Sequence, residues 1–200
     1  ILLSPMSYAT TTTIDATNSP YSSSITLSDS DVLNITSSGI INTSSTYSVS
    51  ATPTTSPATI NNNGQIISTG QAGVQLGSGG LTINNGSAQN SSSLIQGPWY
   101  GVLVSAGDFH LNNYGTIESM VSGGNAGIVN YSLATVSIIN YGSGVILGPT
   151  GGNSTDAAVA NSWGCAPSCG PGDRAILSSI TNIGTISGTV YDVANSQTIT

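Results

Sequence analysis

One phrase recurs along this chain: an apolar residue, any residue, Asn, any residue, Gly, any residue, and a second apolar residue. It reads Ile60-Asn-Asn62-Asn-Gly64-Gln-Ile66, Leu111-Asn-Asn113-Tyr-Gly115-Thr-Ile117 and Ile180-Thr-Asn182-Ile-Gly184-Thr-Ile186. Ile138-Ile-Asn140-Tyr-Gly142 is a further copy, and weaker ones are Ile83-Asn84-Asn85-Gly86 and Ile35-Thr-Ser-Ser-Gly39-Ile-Ile41. The marker glycines at 39, 64, 86, 115, 142 and 184 are 25, 22, 29, 27 and 42 residues apart. Spacings of that order match one coil of a solenoid, where each repeat must stack on its neighbours because it cannot bury its apolar face alone.

A second phrase follows in several coils: a small residue, then alternating aliphatics, as in Gly73-Val-Gln-Leu76, Gly101-Val-Leu-Val104, Gly127-Ile-Val129 and Ala158-Val159. Short runs of period two bounded by Gly, Ser and Asn are strands. Gly, Ser, Thr and Asn make poor helix interiors. The expected fold is therefore all-β, a parallel β-helix of about five to six coils. Equivalent strands would pair in parallel about 4.8 Å apart, so inward side chains should form columns. Ile66, Ile117, Val145 and Ile186 are assigned to one column, and Val74, Val102 and Ile128 to a second sheet. Glycine after Asn is expected to supply the positive φ of a sharp corner, and the corner Asn to stack as an amide ladder.

Residues 58–200 carry the clearest copies, with a long insertion at 148–174 rich in Gly, Pro, Asn and Ser and a shorter one from Ser87 to Ser93. The Ser/Thr-rich stretch 10–57 reads as an N-terminal cap or a leader. Residues 1–9 read either as the tail of a signal peptide, with Ser7 and Ala9 placed like a cleavage site, or as an apolar first strand.

Only 4% of residues are charged, against roughly 25% in an average protein. Arg174 is the single basic residue other than His110, and the net charge is −7. Phosphate neutralisation needs several Lys or Arg side chains, so nucleic acid is not an expected partner. A basic patch for anionic lipid is missing too. No apolar run reaches the roughly 18 residues of a membrane-spanning helix.

The Asn-x-Gly-x-Ile phrase followed by Gly-Ile or Gly-Val, across about residues 30–200, resembles the passenger regions of type V autotransporters and the related filamentous adhesins of Gram-negative bacteria. That resemblance implies a right-handed parallel β-helix, exported and held at the cell surface or secreted. A close cysteine pair is similar to that family as well, since widely spaced disulfides would hinder passage through a narrow pore. The chain departs from a complete autotransporter in having no series of roughly ten-residue amphipathic strands for a membrane barrel.

Cys165 and Cys169 are spaced wrongly for a thioredoxin-like pair, and no second Cys or His pair completes a zinc site. A short-loop disulfide is expected, with free thiols as the alternative. Enzymes built on this architecture put the question of catalysis. A lyase needs basic residues, and the chain offers Arg174 beside Asp173. Glycoside hydrolysis needs two facing carboxylates; Asp108 and Glu118 flank one corner, but solvated surface carboxylates are the simpler account. His110, between Phe109 and Leu111, reads as a structural histidine at a strand start. Asp29-Ser-Asp31 resembles part of a calcium loop without its glycine and its bidentate Glu. No catalytic residue, metal or cofactor is therefore expected.

Aromatic residues supply the candidate contact surface: Trp99 and Tyr100 before a strand, Trp163 with Arg174 in the long insertion. Tyr114 and Tyr141, at one repeat position, either extend it or cover the corner. The sequence thus points to a non-enzymatic surface stalk or adhesin segment, whose partner would be a host-cell or neighbouring-cell surface protein or glycan. The alternative is a structural filament or coat subunit that self-associates end to end through open β edges.

Overall fold

The computed structural model describes residues 8–121, 125–149, 157–161 and 179–192. The chain opens with β1 (Thr11–Ile14) and β2 (Ile25–Leu27). Five strand triplets follow. They are β3 (Val32–Ile35), β4 (Ile40–Thr43), β5 (Tyr47–Ala51); β6 (Ala58–Asn62), β7 (Gln65–Ser68), β8 (Ala72–Leu76); β9 (Gly80–Asn85), β10 (Leu94–Gly97), β11 (Tyr100–Val104). The last two are β12 (Asp108–Asn113), β13 (Thr116–Ser119), β14 (Ala126–Asn130) and β15 (Val136–Asn140), β16 (Val145–Leu147), β17 (Ala157–Asn161). β18 (Ser179–Asn182), β19 (Thr185–Ser187) and β20 (Thr189–Asp192) complete the described strands.

From β2 onward every third strand joins the same sheet, β1 pairs directly with β3, and all strand pairings are parallel. The first sheet runs β1-β3-β6-β9-β12-β15-β18, the second β4-β7-β10-β13-β16-β19, the third β2-β5-β8-β11-β14-β17-β20. This is a parallel β-solenoid, as the repeat requires. Residues 11–51, whose pattern is fainter in the sequence, supply β1 to β5 and lie in the same three sheets as the rest.

The core is a set of columns one residue wide. Ile41, Ile66, Ile95, Ile117, Ile146 and Ile186 pair in register down the second sheet. Leu33, Ile60, Ile83, Leu111, Ile138 and Ile180 do so down the first. Val49, Val74, Val102, Ile128 and Val159 fill the third. Nearly all are fully buried, each adding about 1.5–3 kcal/mol of apolar burial. Val145 is a correction. It lies half-exposed on the outer face, paired with Thr116 and Thr185, while Ile146 takes the inward place. The corner between β15 and β16 is two residues longer than its counterpart after Asn113, so the inward place falls six residues after Asn140 at Ile146 instead of four, and Val145, one residue earlier, faces the other way.

Except at Gly86, whose φ is positive as expected, the corner glycines also do a different job from the one expected. Positive φ occurs at Gly79, Gly86, Gly107 and Gly188, not at the glycines of the full Asn-x-Gly phrase. Those glycines are needed for close stacking. A Cβ on Gly64 would fall 2.1 Å from the Gly39 carbonyl oxygen, and one on Gly184 2.3 Å from that of Gly144. The backbones meet there because the carbonyls of Gly39, Gly64, Ser93, Gly115 and Gly144 accept the N–H of Gln65, Leu94, Thr116, Val145 and Thr185 in turn, at 2.8–3.0 Å. Ser93 stands where the others have glycine. It is buried, and its Oγ has no hydrogen-bond partner among the described residues.

Candidate functional site

Period-two alternation sends neighbouring asparagines of β6, β9 and β12 to opposite faces. The second of each pair points inward. Asn62, Asn85, Asn113, Asn140 and Asn182 form a ladder, each Nδ2 donating to the next Oδ1 at 2.7–2.8 Å. The same Nδ2 groups also donate to backbone carbonyls of the following coil, Asn62 to Leu94 and Asn85 to Thr116. The ladder expected at the corner is therefore real, and it satisfies polar groups that burial would otherwise penalise.

The first asparagine of each pair points outward and makes a second ladder of opposite direction. Asn112 donates to Asn84, Asn84 to Asn61 and Asn61 to Asn34, at 2.8–2.9 Å. These four residues are half-exposed. Beside them on the same face runs the paired row Thr59, Thr82, His110 and Ser137. His110, read as a structural histidine, is exposed in that row.

The outer ladder ends at a groove. Tyr114 and Tyr141 follow the inward asparagines Asn113 and Asn140, so the coil repeat sets one ring over the other. Their centroids are 4.0 Å apart and their planes 4° from parallel. In the preceding coil that place belongs to Gly86, after Asn85, and the stack stops there. The chain instead makes the insertion foreseen from Ser87, a tight turn closed by Ser87 and Asn90 exchanging backbone bonds and pinned by Asn90 Nδ2 to the Asn63 carbonyl at 2.8 Å. Tyr114, Tyr141, Asn84, Asn112 and the turn 86–89 enclose an open groove of about 430 Å³. Partial desolvation, then the adjoining Tyr141 phenol and a hydrogen bond with it, raise the Tyr114 phenol above its usual value. The Tyr114 phenol stays neutral at any physiological pH.

The aromatics singled out in the sequence lie elsewhere. Trp99 is 47% exposed in the turn between β10 and β11. Tyr100 is half-buried and packs with Tyr47 and Tyr131 over Ala72 and Ala126. Burial, then hydrogen bonding to Tyr131, pushes its pKa up to about 12. Trp99 and Tyr100 thus sit at the corner joining the second and third sheets, and the groove at the corner joining the first and second. Trp163, Arg174, Cys165 and Cys169 lie outside the described residues, as do residues 1–7 and most of the insertion 148–174.

The acidic residues whose side chains are described are occupied structurally. Asp29 accepts the N–H groups of Thr54 and Thr55 and their hydroxyls, which hold its carboxyl far below the usual range. Burial pushes Asp31 up, but bonds from Ser28 N at 2.7 Å and from Thr10 N and Oγ1 at 2.8 and 2.7 Å outweigh it, and its pKa falls. Asp108 accepts from Thr135 N, and Glu118 from Gln96 Nε2, on different sheets. Among the described residues no group of three His, Cys, Asp or Glu side chains is placed to hold a metal, and no helix is long and apolar enough to cross a membrane.

The signal for the groove was present in the sequence. Asn-Asn doublets at 61–62, 84–85 and 112–113 mean one amide inside and one outside; only the inner set was anticipated. Compared with protein-family models, curated proteins and solved structures, the chain has no match in any of the three.

Proposed function

We propose that this chain is a shaft segment of a secreted or cell-surface bacterial protein, acting by adhesion rather than catalysis. The observation that carries the reading is the outer surface of the coils. Outward side chains repeat in register along the first sheet as nearly uncharged rows made mostly of Thr, Ser and Asn, with Val32, His110 and Ile139 among them, a lateral face suited to extended contact. The repeat style resembling autotransporter passengers and filamentous adhesins supports export and right-handed winding. Catalysis is disfavoured because the described Asp15, Asp29, Asp31, Asp108 and Glu118 are each spent on neighbouring donors.

The test is retention under flow. Beads carrying the folded chain should be held on surfaces bearing glycans or cell-surface proteins, and beads carrying heat-denatured chain should wash away. Equal release of both from every such surface sinks the adhesive reading. Imaging at rising protein concentration separates the competing role: rods of constant length support a shaft, and rods that lengthen with concentration transfer the function to end-to-end assembly.

A further inference from the structure

Resting on that adhesive reading, we infer that the groove at Tyr114 and Tyr141, with the outer amide ladder leading into it, binds an extended uncharged polysaccharide.

The amides supply the polar half of the recognition. An asparagine side chain has two N–H donors and two acceptor lone pairs. Within the outer ladder Asn61 and Asn84 each spend one donor and one acceptor on their neighbours. Each keeps one N–H and one lone pair for a ligand, as sugar hydroxyls require. Because the coils repeat about every 4.8 Å, the spare groups recur at a spacing close to the rise per sugar of an extended β-1,4-linked chain. The ladder holds the amides in fixed rotamers, so little side-chain entropy is lost on binding.

The tyrosines supply the apolar half. A pyranose presents C–H bonds on its faces and hydroxyls at its rim, so it lies flat on an aromatic ring while amides reach its edge. Gly86 carries no side chain where the next two coils carry Tyr114 and Tyr141, and the ring of Tyr114 borders the groove instead of a third stacked ring. The two phenols cap the row at the point where the ladder of Asn34, Asn61, Asn84 and Asn112 ends.

Charge selects among polysaccharides. Among the described residues the face holds no Lys or Arg, and the net charge of the chain is −7. An acidic glycan would find no counter-charge and a repulsive field. A neutral glycan loses nothing.

Titration of the chain with cellohexaose and chitohexaose, followed by tyrosine fluorescence and amide chemical shifts, tests this. The expected result is weak saturable binding by at least one of them, strengthening from two to about four sugars as successive rungs, one per coil, are engaged. Shifts should centre on residues 84–89, 112–114 and 141, and polygalacturonate should not bind. Tyr114→Ala and Asn112→Thr should each lose roughly tenfold in affinity, while Tyr114→Phe retains it. Melting temperatures check that each variant is folded. Failure of every neutral oligosaccharide to bind, or equal binding by wild type and folded Tyr114→Ala and Asn112→Thr, overturns the inference. If beads still adhere in that case, the adhesive shaft stands and only its ligand and site are refuted.

Discussion

At the scale of single residues, a glycine here is defined by what lies 2 Å from its missing Cβ. Gly144 and Gly142 make the point within one corner. A Cβ on Gly144 would meet Asn140 Oδ1 at 2.3 Å and the Asn113 carbonyl oxygen at 2.4 Å; one on Gly142 meets nothing within 4 Å. Neither has a positive φ. Gly144→Ala should therefore cost about 3 kcal/mol or more, because two coils must part to admit the methyl. Gly142→Ala should stay within about 0.5 kcal/mol of wild type. Denaturant melts of the two variants check this, and similar losses in both would refute the steric account. In the sequence the choice went to Gly142, since Asn140-Tyr-Gly142 fits the phrase. The same choice put Val145 in the core. Nothing local distinguishes the two glycines; only the coil beneath does.

At the scale of the element, the two amide ladders differ in burial and so in worth. Asn113 is fully buried, takes a bond from Asn85, and gives bonds to Asn140 Oδ1 and, more weakly, the Val145 carbonyl. Asn113→Ala strands these partners away from water, at an expected cost of about 3 kcal/mol. Asn34, half-exposed at the end of the outer ladder, accepts one bond from Asn61. Asn34→Ala should cost under about 1 kcal/mol, because water replaces the amide. Thermal melts of both variants decide it, and equal losses would show that burial does not set the value of a rung. The inner ladder was legible because Asn recurs at a fixed place in the phrase. The outer one was harder to read, because the position before that Asn is occupied by Thr36, Ile139 and Thr181 in other copies and so looks free to vary.

At the scale of the whole molecule, coils joined by backbone bonds and apolar columns should hold almost without ion pairing. With 4% charged residues, the melting temperature should move by less than about 2 °C between low salt and about 1 M salt, where exposed charges are fully screened. Acid is different. Asp15, Asp29 and Asp31 all have folded pKa values below the ordinary 3.8. The unfolded chain therefore binds more protons than the folded one in that range. Their stabilisation is complete above the unfolded value and is lost as pH falls through the folded values. Asp29 and Asp31 bond to residues in the neighbouring coils, so protonating them loosens the solenoid at one corner. The melting temperature should be flat from neutral pH to about pH 5 and fall below about pH 4; a fall beginning near pH 6 would mean that other groups govern it.

The sequence by itself determined the architecture: a period near 25 residues, strands of period two and a repeated Asn-x-Gly leave a chain no way to bury its aliphatics except by stacking coil on coil. It also determined what cannot be bound through charge, since one basic residue is a property of composition. Register and the placing of sites needed the tertiary structure. Which glycine is compressed, which Asn of a doublet faces out, and which aromatics meet are relations between residues more than twenty positions apart. Trp99 and Tyr100 stood out in the sequence because they are large and adjacent. Tyr114 and Tyr141 make the groove because the coil carries the chain through one full circuit between them, and stacking sets their rings 4.0 Å apart.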